Sequence, residues 1–161
     1  MADTYANKGF TIALTLFALF LAGYAFLQSP FFSLREIELV GNDYLTTEAI
    51  LEQTGLSYGI NLLEIDLRRI GRELAELPMV AGVKVSRRFP SGLRFRVEER
   101  RPVAYLPAER GFWTLDEEGR VLYRTDALTK PIPLLTASPA PAVTPGARLD
   151  EPHLLAALRF V

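Results

Sequence analysis

The chain has 161 residues with 18 basic and 19 acidic side chains, so it offers one ordinary domain or two very small ones and a formal net charge of −1. This balance argues against a protein that grips nucleic acid through its phosphates. There is no cysteine and His153 is the single histidine, which excludes disulfides, thiol catalysis and zinc-finger spacing within this sequence.

The first predicted element is a transmembrane helix over residues 9–28, which contain no charged side chain. Twenty helical residues rise about 30 Å, the thickness of a hydrocarbon core. A cleaved signal peptide is the alternative, with Lys8 as its basic end and with Gly23 and Ala25 before a cleavage point. The apolar run continues to Leu27, however, and this length favours an uncleaved anchor.

Few charges indicate the orientation of this helix. Lys8 and the amino terminus precede it, opposed by Asp3, and Arg35 follows it. Because residues 1–8 are short and the remainder has the composition of a soluble domain, we expect a cytoplasmic tail. The bulk of the chain is then expected outside the cytoplasmic (inner) membrane, which the chain crosses once.

A strand is predicted after the membrane segment, because the apolar and acidic side chains alternate there. Ile37 and Leu39 point to one face, and Glu36 and Glu38 point to the other. The turn residues at 41–42 end the strand. This pattern is typical of a sheet with one buried and one solvated face.

Two helices are predicted next. Thr46 or Thr47 caps the first, which ends at Gly55, and Asp66 caps the second, which ends at Pro78. The second helix is predicted to bury one apolar stripe, formed by Leu63, Leu67, Ile70, Leu74 and Leu77.

The residues around the turn at 90–92 predict a β-hairpin, because strict alternation lies on both sides of it. The inward side chains are expected to be Val83, Val85, Leu93, Phe95 and Val97, and the outward ones Lys84, Ser86, Arg94, Arg96 and Glu98. Most of the arginines are therefore expected on a solvated face, where Glu36 and Glu38 of the first strand offset part of their charge.

The resulting order is β-α-α-β-β, an α+β fold in which both helices cover one face of a three-stranded sheet. With LREIELVGN, and with ELPMVAGVKVSRRFPSGLRFRVEERRPVAYL after it, behind a single apolar helix, the chain resembles the bacterial cell-division family FtsQ/DivIB. The resemblance implies that residues 32–101 form a POTRA (polypeptide-transport-associated) domain.

Residues 102–161 resemble the start of the family's second, β-rich domain. Strands are expected at 112–115 and 120–123 around an Asp-Glu-Glu-Gly turn, and a further strand at 131–135. A helix capped by Asp150 is expected to follow, with one face formed by Leu154, Leu158 and Val161. Because the family continues with several more strands, we expect a truncated or shortened member.

The resemblance implies a non-enzymatic scaffold that links early and late division proteins at the septum. Its implied partners are other divisome membrane proteins, namely small coiled-coil division proteins and the septal peptidoglycan synthesis complex. No cofactor, metal, nucleic acid or small-molecule substrate is expected, and no catalytic motif is found. Asp116, Glu117 and Glu118 are best explained by a turn, and His153 by a helix surface.

The implied partner-binding residues are Asp66, Gly82, Val85, Arg87 and Glu99. A structural role is the stronger alternative for the first three, as a helix cap, a strand entry and a core position. The physical means would be an unpaired strand over residues 83–87 that accepts a partner's strand. The direction of the Ser86 N–H decides which residues of that strand are available.

Two other classes of protein stay open. A secretion or outer-membrane assembly factor would carry a cleaved signal peptide and repeated POTRA modules. A membrane-tethered binder of lipid or peptidoglycan would use Arg88, Arg94 and Arg96.

Overall fold

The computed structural model describes residues 2–136 and 143–158, with side chains from Lys8 onward. The elements in chain order are helix α1 (Ala2–Leu27), a 3-10 turn (Pro30–Phe32), strand β1 (Glu36–Val40), helices α2 (Thr47–Thr54) and α3 (Leu67–Ala75), strands β2 (Val80–Arg88), β3 (Gly92–Glu99), β4 (Ala104–Pro107), β5 (Phe112–Leu115) and β6 (Val121–Thr125), and helix α4 (Pro152–Leu158). The predicted α+β class is confirmed.

Helix α1 is long and apolar enough to cross a membrane. The span Lys8–Phe32 has a mean hydropathy of 2.2, and its most apolar stretch is 0% buried against the rest of the chain. A helix that is apolar on every side and packs on nothing needs an apolar solvent. The chain therefore carries a candidate single transmembrane helix.

The first sheet has the order β1-β3-β2, with β3 in the centre. Strand β1 runs parallel to β3, with Glu36 opposite Gly92, and β2 runs antiparallel to β3, with Arg88 opposite the same glycine. The predicted inward residues of β3 are buried, because Leu93 and Phe95 are 0% exposed and Val97 is 3% exposed. Complete burial of Phe95 alone contributes about 1.5–3 kcal/mol.

Helices α2 and α3 begin at the predicted caps. The Thr46 hydroxyl accepts from the Ala49 N–H, and Gly55 ends α2 with a φ of 63°. The Asp66 carboxylate accepts from the N–H groups of Arg68 and Arg69, at 2.9 and 3.1 Å. These backbone donors, Arg69 first, lower the pKa of Asp66.

The predicted apolar stripe extends beyond α3 at both ends. The helix ends at Ala75 rather than at Pro78, so Leu77 follows it, and Leu63 precedes it and is 37% exposed. The Asn61 side chain accepts from the Leu63 N–H at 2.9 Å and holds this segment in a turn. The buried face of α3 consists of Ile70 and Leu74.

A second sheet has the order β4-β5-β6, and the strands predicted at 112–115 and 120–123 correspond to β5 and β6. Strand β4 was not predicted. The strand expected at 131–135 is reduced to a bridge between Leu134 and Tyr105. Pro131 and Pro133 explain this outcome, because proline has no N–H to donate to a ladder.

Helix α4 covers this second sheet with Leu154 and Leu158, which are both buried. It begins at Pro152, and the Glu151 carbonyl accepts from the N–H of Leu154. The predicted cap, Asp150, lies one residue too early, because proline favours the first helical position. Val161 lies outside the described residues, as do residues 137–142 of the Pro- and Ala-rich loop.

Candidate docking surface

Strand β2 forms one side of the first sheet, and the register decides which of its backbone groups are paired. The N–H of Glu36 in β1 donates to the Ser91 carbonyl, just before β3. Backbone groups of successive residues in a strand point to opposite sides. The odd-numbered residues of β3 therefore face β1, and the even-numbered residues face β2.

The even-numbered residues of β3 are paired with even-numbered residues of β2, and Ser86 lies opposite Arg94. The Ser86 N–H thus points into the sheet. The N–H and C=O groups of Val83, Val85 and Arg87 point away from it. Within residues 2–136 and 143–158, no hydrogen bond reaches these three N–H groups. The outer side of β2 is therefore an open strand, which we call the β2 edge.

The face of the first sheet that points away from α2 and α3 is exposed to solvent. In two rows of residues that lie opposite one another across the strands, its basic side chains are paired with acidic ones. Arg94 donates to Glu38 at 2.8 Å, and Arg88 lies 3.1 Å from Glu38 and 3.6 Å from Glu36. The hydrogen bond from Arg94 lowers the pKa of Glu38. The predicted offset of the arginines by these glutamates is confirmed.

The next row of the solvated face has no such balance. Lys84 lies directly opposite Arg96, both side chains are exposed, and on the other side Arg96 lies opposite Val40. In the described part of the chain, neither cation forms an ion pair within 4.0 Å. Like charges opposite each other destabilise a sheet. An acidic group brought to this row would be attracted by both cations.

Two of the five predicted partner-binding residues lie on the β2 edge. Val85 is half-buried against the core through its side chain, while its N–H points outward. Arg87 turns its guanidinium to the helix side of the sheet, where it donates to the carbonyls of Leu62 and Ile65 at 2.8 and 2.7 Å. What these two residues offer a partner strand is their outward backbone groups.

The other three predicted residues lie away from the outward groups. Asp66 caps α3. Gly82 lies at a bulge near the start of β2, and a methyl group there would meet Glu98 at an ordinary 3.5 Å. The Glu99 carboxylate accepts from the N–H groups of Tyr44 and Leu45, at 2.7 to 3.1 Å. It fastens the loop between β1 and α2.

Sequence reasoning missed a contact between the two sheets. Arg100 donates to the 3%-exposed Asp116 at 3.0 Å, and Asp116 also accepts from the N–H groups of Glu118 and Arg120. The turn explanation of the acidic cluster is therefore correct. The pairing with Arg100 had no local signal, because sixteen residues separate the partners.

A cleft of about 720 Å³ opens beside this ion pair, at the end of the first sheet. Its wall mixes basic and acidic side chains, among them Arg96, Arg101, Glu98 and Glu117. Across the described residues, no group of three or more histidine, aspartate or glutamate side chains is placed to hold a metal ion. The cleft therefore offers polar contacts of both charges.

Comparison with known proteins points to one family. A sequence profile described as "POTRA domain, FtsQ-type" matches residues 32–100. The cell division protein DivIB of Geobacillus kaustophilus is 27% identical over 126 residues, which are 78% of this chain and 48% of that protein. The DivIB of Brevibacillus brevis is 28% identical over 142 residues, 86% of this chain and 54% of that protein.

The cell division protein FtsQ of Syntrophotalea carbinolica is similar as well. It is 31% identical over 121 residues, which cover 75% of this chain and 41% of that protein. The chain thus spans about half the length of the curated relatives it matches.

Proposed function

Because the chain belongs to the FtsQ/DivIB family of cell-division proteins, we propose that it is a non-enzymatic scaffold of the divisome. In this proposal α1 holds the chain in the inner membrane at the septum, with residues 1–8 cytoplasmic and the two sheets on the outer side. The sheets then link early and late division proteins by protein–protein contacts. The names of its relatives support the role in division.

We further propose that the β2 edge is the docking site. The observation that carries this proposal is the set of outward N–H and C=O groups at Val83, Val85 and Arg87, which no described residue pairs. A partner strand laid along β2 would satisfy these groups and extend the sheet by one strand. Because the contact is made by the backbone, the side chains of Val85 and Arg87 keep their intramolecular roles.

The charges beside the edge specify the partner. Lys84 and Arg96 form an unbalanced positive row on the solvated face, and Lys84 belongs to β2 itself. A partner strand that carries Asp or Glu on the solvated face of the sheet would form an ion pair with this row, while a basic strand would be repelled. We therefore propose a partner segment that is extended and acidic on one face.

Proline at position 85 tests the β2 edge. Val85→Pro removes an outward N–H, and Val85→Ala removes comparable packing but keeps that N–H. We expect Val85→Pro to lose most of its septal localisation as a fluorescent fusion, and Val85→Ala to keep it, because only the proline variant lacks the donor for a partner strand. Circular dichroism of the chain from residue 32 onward verifies that both variants fold.

Ser86→Pro is the matched control for the direction of the backbone. The Ser86 N–H points toward β3, so its loss weakens the sheet rather than the docking contact. Leaving its acceptor unpaired is expected to cost about 1–3 kcal/mol. If folded Val85→Pro and Arg87→Pro proteins both localise normally, β2 is not the docking strand.

Lys84→Glu separates docking from stability. The change converts a repulsive pair with Arg96 into an attractive one, and it should raise the free energy of unfolding by about 0.2–1 kcal/mol in a urea titration. The same change should weaken septal recruitment, because the acidic partner then meets a negative charge. A stabilised variant with normal recruitment would contradict an acidic partner strand, and Lys84→Gln provides the neutral control.

A further inference from the structure

The turn between β2 and β3 presents an apolar side chain that the proposed function leaves unused. Phe89 is 60% exposed at the tip of this hairpin, between Arg88 and Pro90, which are exposed as well. A turn that faces solvent does not need an apolar side chain at this position. An exposed phenylalanine is common in isolation. What sets this one apart is its neighbours.

Phe89 continues a row of aromatic rings that begins inside the apolar helix. The centroid of Phe26, in the last turn of α1, lies 5.4 Å from that of Phe32. The Phe32 centroid lies 6.4 Å from that of Phe89, with the rings nearly perpendicular. Phe31 packs edge-on against Phe32 and is 53% exposed. The hairpin tip therefore lies beside the end of α1.

The topology of the first sheet places the β2–β3 hairpin tip close to the end of α1. Strand β1 starts just after the 3-10 turn, and its first residue pairs with Gly92, which also pairs with Arg88. The start of β1 and the hairpin tip thus share one end of the sheet. At the same end, the Asn61 side chain donates to the Leu27 carbonyl of α1 at 2.7 Å. The loop after β1 and the second sheet lie at the opposite end.

Few charges at this end are free for an external contact. Arg88 pairs with Glu36 and Glu38, while Arg35 is exposed and donates to the Pro30 carbonyl at 3.1 Å. Beside Arg35, an external contact would meet an apolar surface, namely the exposed rings of Phe31 and Phe89. Aromatic side chains of this kind are enriched where a membrane protein meets the headgroup region.

We propose that the hairpin tip is a second membrane contact, in which Phe89, beside Phe31, enters the boundary between headgroups and acyl chains of the bilayer that α1 spans. This contact fixes the tilt of the first sheet relative to the membrane, and with it the direction in which the β2 edge faces. The proposal depends on α1 crossing a membrane and not on a role in division.

Spin labelling tests the contact, because the sequence contains no cysteine and each introduced thiol is the only one. The full chain is reconstituted into nanodiscs of a zwitterionic phosphatidylcholine, with a nitroxide on Phe89→Cys, Leu19→Cys or Leu128→Cys. Leu19 is 64% exposed on α1, and Leu128 is 50% exposed in the second part of the chain. Collision with oxygen and with a water-soluble nickel chelate reports the depth of each label.

We expect the Phe89 label to collide more with oxygen than with nickel, at a depth between those of Leu19 and the aqueous Leu128. High salt should not change this result, because the proposed contact is made by an uncharged ring with a zwitterionic bilayer. A label at position 89 that matches Leu128 while Leu19 reports lipid overturns the proposal and leaves the anchor intact. A Leu19 label in water overturns both.

A second arm keeps the native phenylalanine. The label is placed on Arg88→Cys, with Phe89 present or replaced in Phe89→Glu. We expect the first protein to report the membrane interface and the second to shift toward the aqueous profile, with unchanged circular dichroism. Identical profiles for the two proteins would show that Phe89 does not hold the tip at the membrane.

Discussion

Phe95→Glu is expected to unfold the first sheet and its helices. Phe95 lies on the central strand, is 0% exposed, and faces Leu39 on one side and Val85 on the other. A carboxylate at this position would be buried among apolar side chains, and the Arg87 guanidinium on the same side of the sheet is already held by the Leu62 and Ile65 carbonyls. We expect this burial to cost more than about 4 kcal/mol. Circular dichroism and urea titration of the chain from residue 32 onward measure the loss.

The neighbouring change Arg96→Glu is the matched control. It introduces the same side chain one residue farther along β3, but on the solvated face, where it meets Lys84. We expect this variant to fold with a free energy of unfolding that is unchanged or higher by up to about 1 kcal/mol. Similar losses in both variants would mean that the register of β3 is wrong.

The second large effect is expected at Glu99. Glu99→Ala removes the acceptor for the N–H groups of Tyr44 and Leu45, which have no other acceptor among the described residues. Hydrogen bonds to a charged group contribute about 1.5–3 kcal/mol each. Because Tyr44 is 38% exposed and its N–H can bond to water instead, we expect a total loss of about 2–4 kcal/mol in urea titration. The loop between β1 and α2 should then exchange its amide hydrogens before the strands of the first sheet do.

Glu99→Gln separates this clamp from the predicted role of Glu99 in partner binding. The glutamine keeps an acceptor oxygen and loses the charge, so the loss of stability should fall to about 1 kcal/mol. If Glu99→Gln is nearly as stable as the native chain but fails to reach the septum, Glu99 contacts a partner directly. If localisation follows stability in both variants, its role is confined to the loop.

The elements that the sequence predicts well are those with a local signal. The caps at Thr46 and Asp66 follow from short side chains placed before an apolar period. The hairpin follows from strict alternation on both sides of residues 90–92. The order of strands has no such signal, because the parallel pairing of β1 with β3 joins segments that more than fifty residues separate.

The same distinction between local sequence signals and long-range contacts applies to the β2 edge. Alternation places Val85 on the inner face, as the sequence predicts. Arg87 also lies on the inner face, although the arginines are expected mostly on the solvated one, and an arginine there needs acceptors that no local pattern reveals. The structure supplies them as the Leu62 and Ile65 carbonyls. Whether the Ser86 N–H points inward or outward also depends on pairing with β3, and this pairing decides which proline tests the edge.

The central position of β3 has a consequence for the chain during its synthesis. Strand β1 is made early, but its partner begins at Gly92, 56 residues after Glu36 (92 − 36). At about 5–20 residues per second, β1 waits on the order of 3 to 11 s before its partner exists. Until then the backbone groups of β1 have no partner strand, and each nascent chain presents a template to its neighbours. The time at risk is set by the length of chain between β1 and β3.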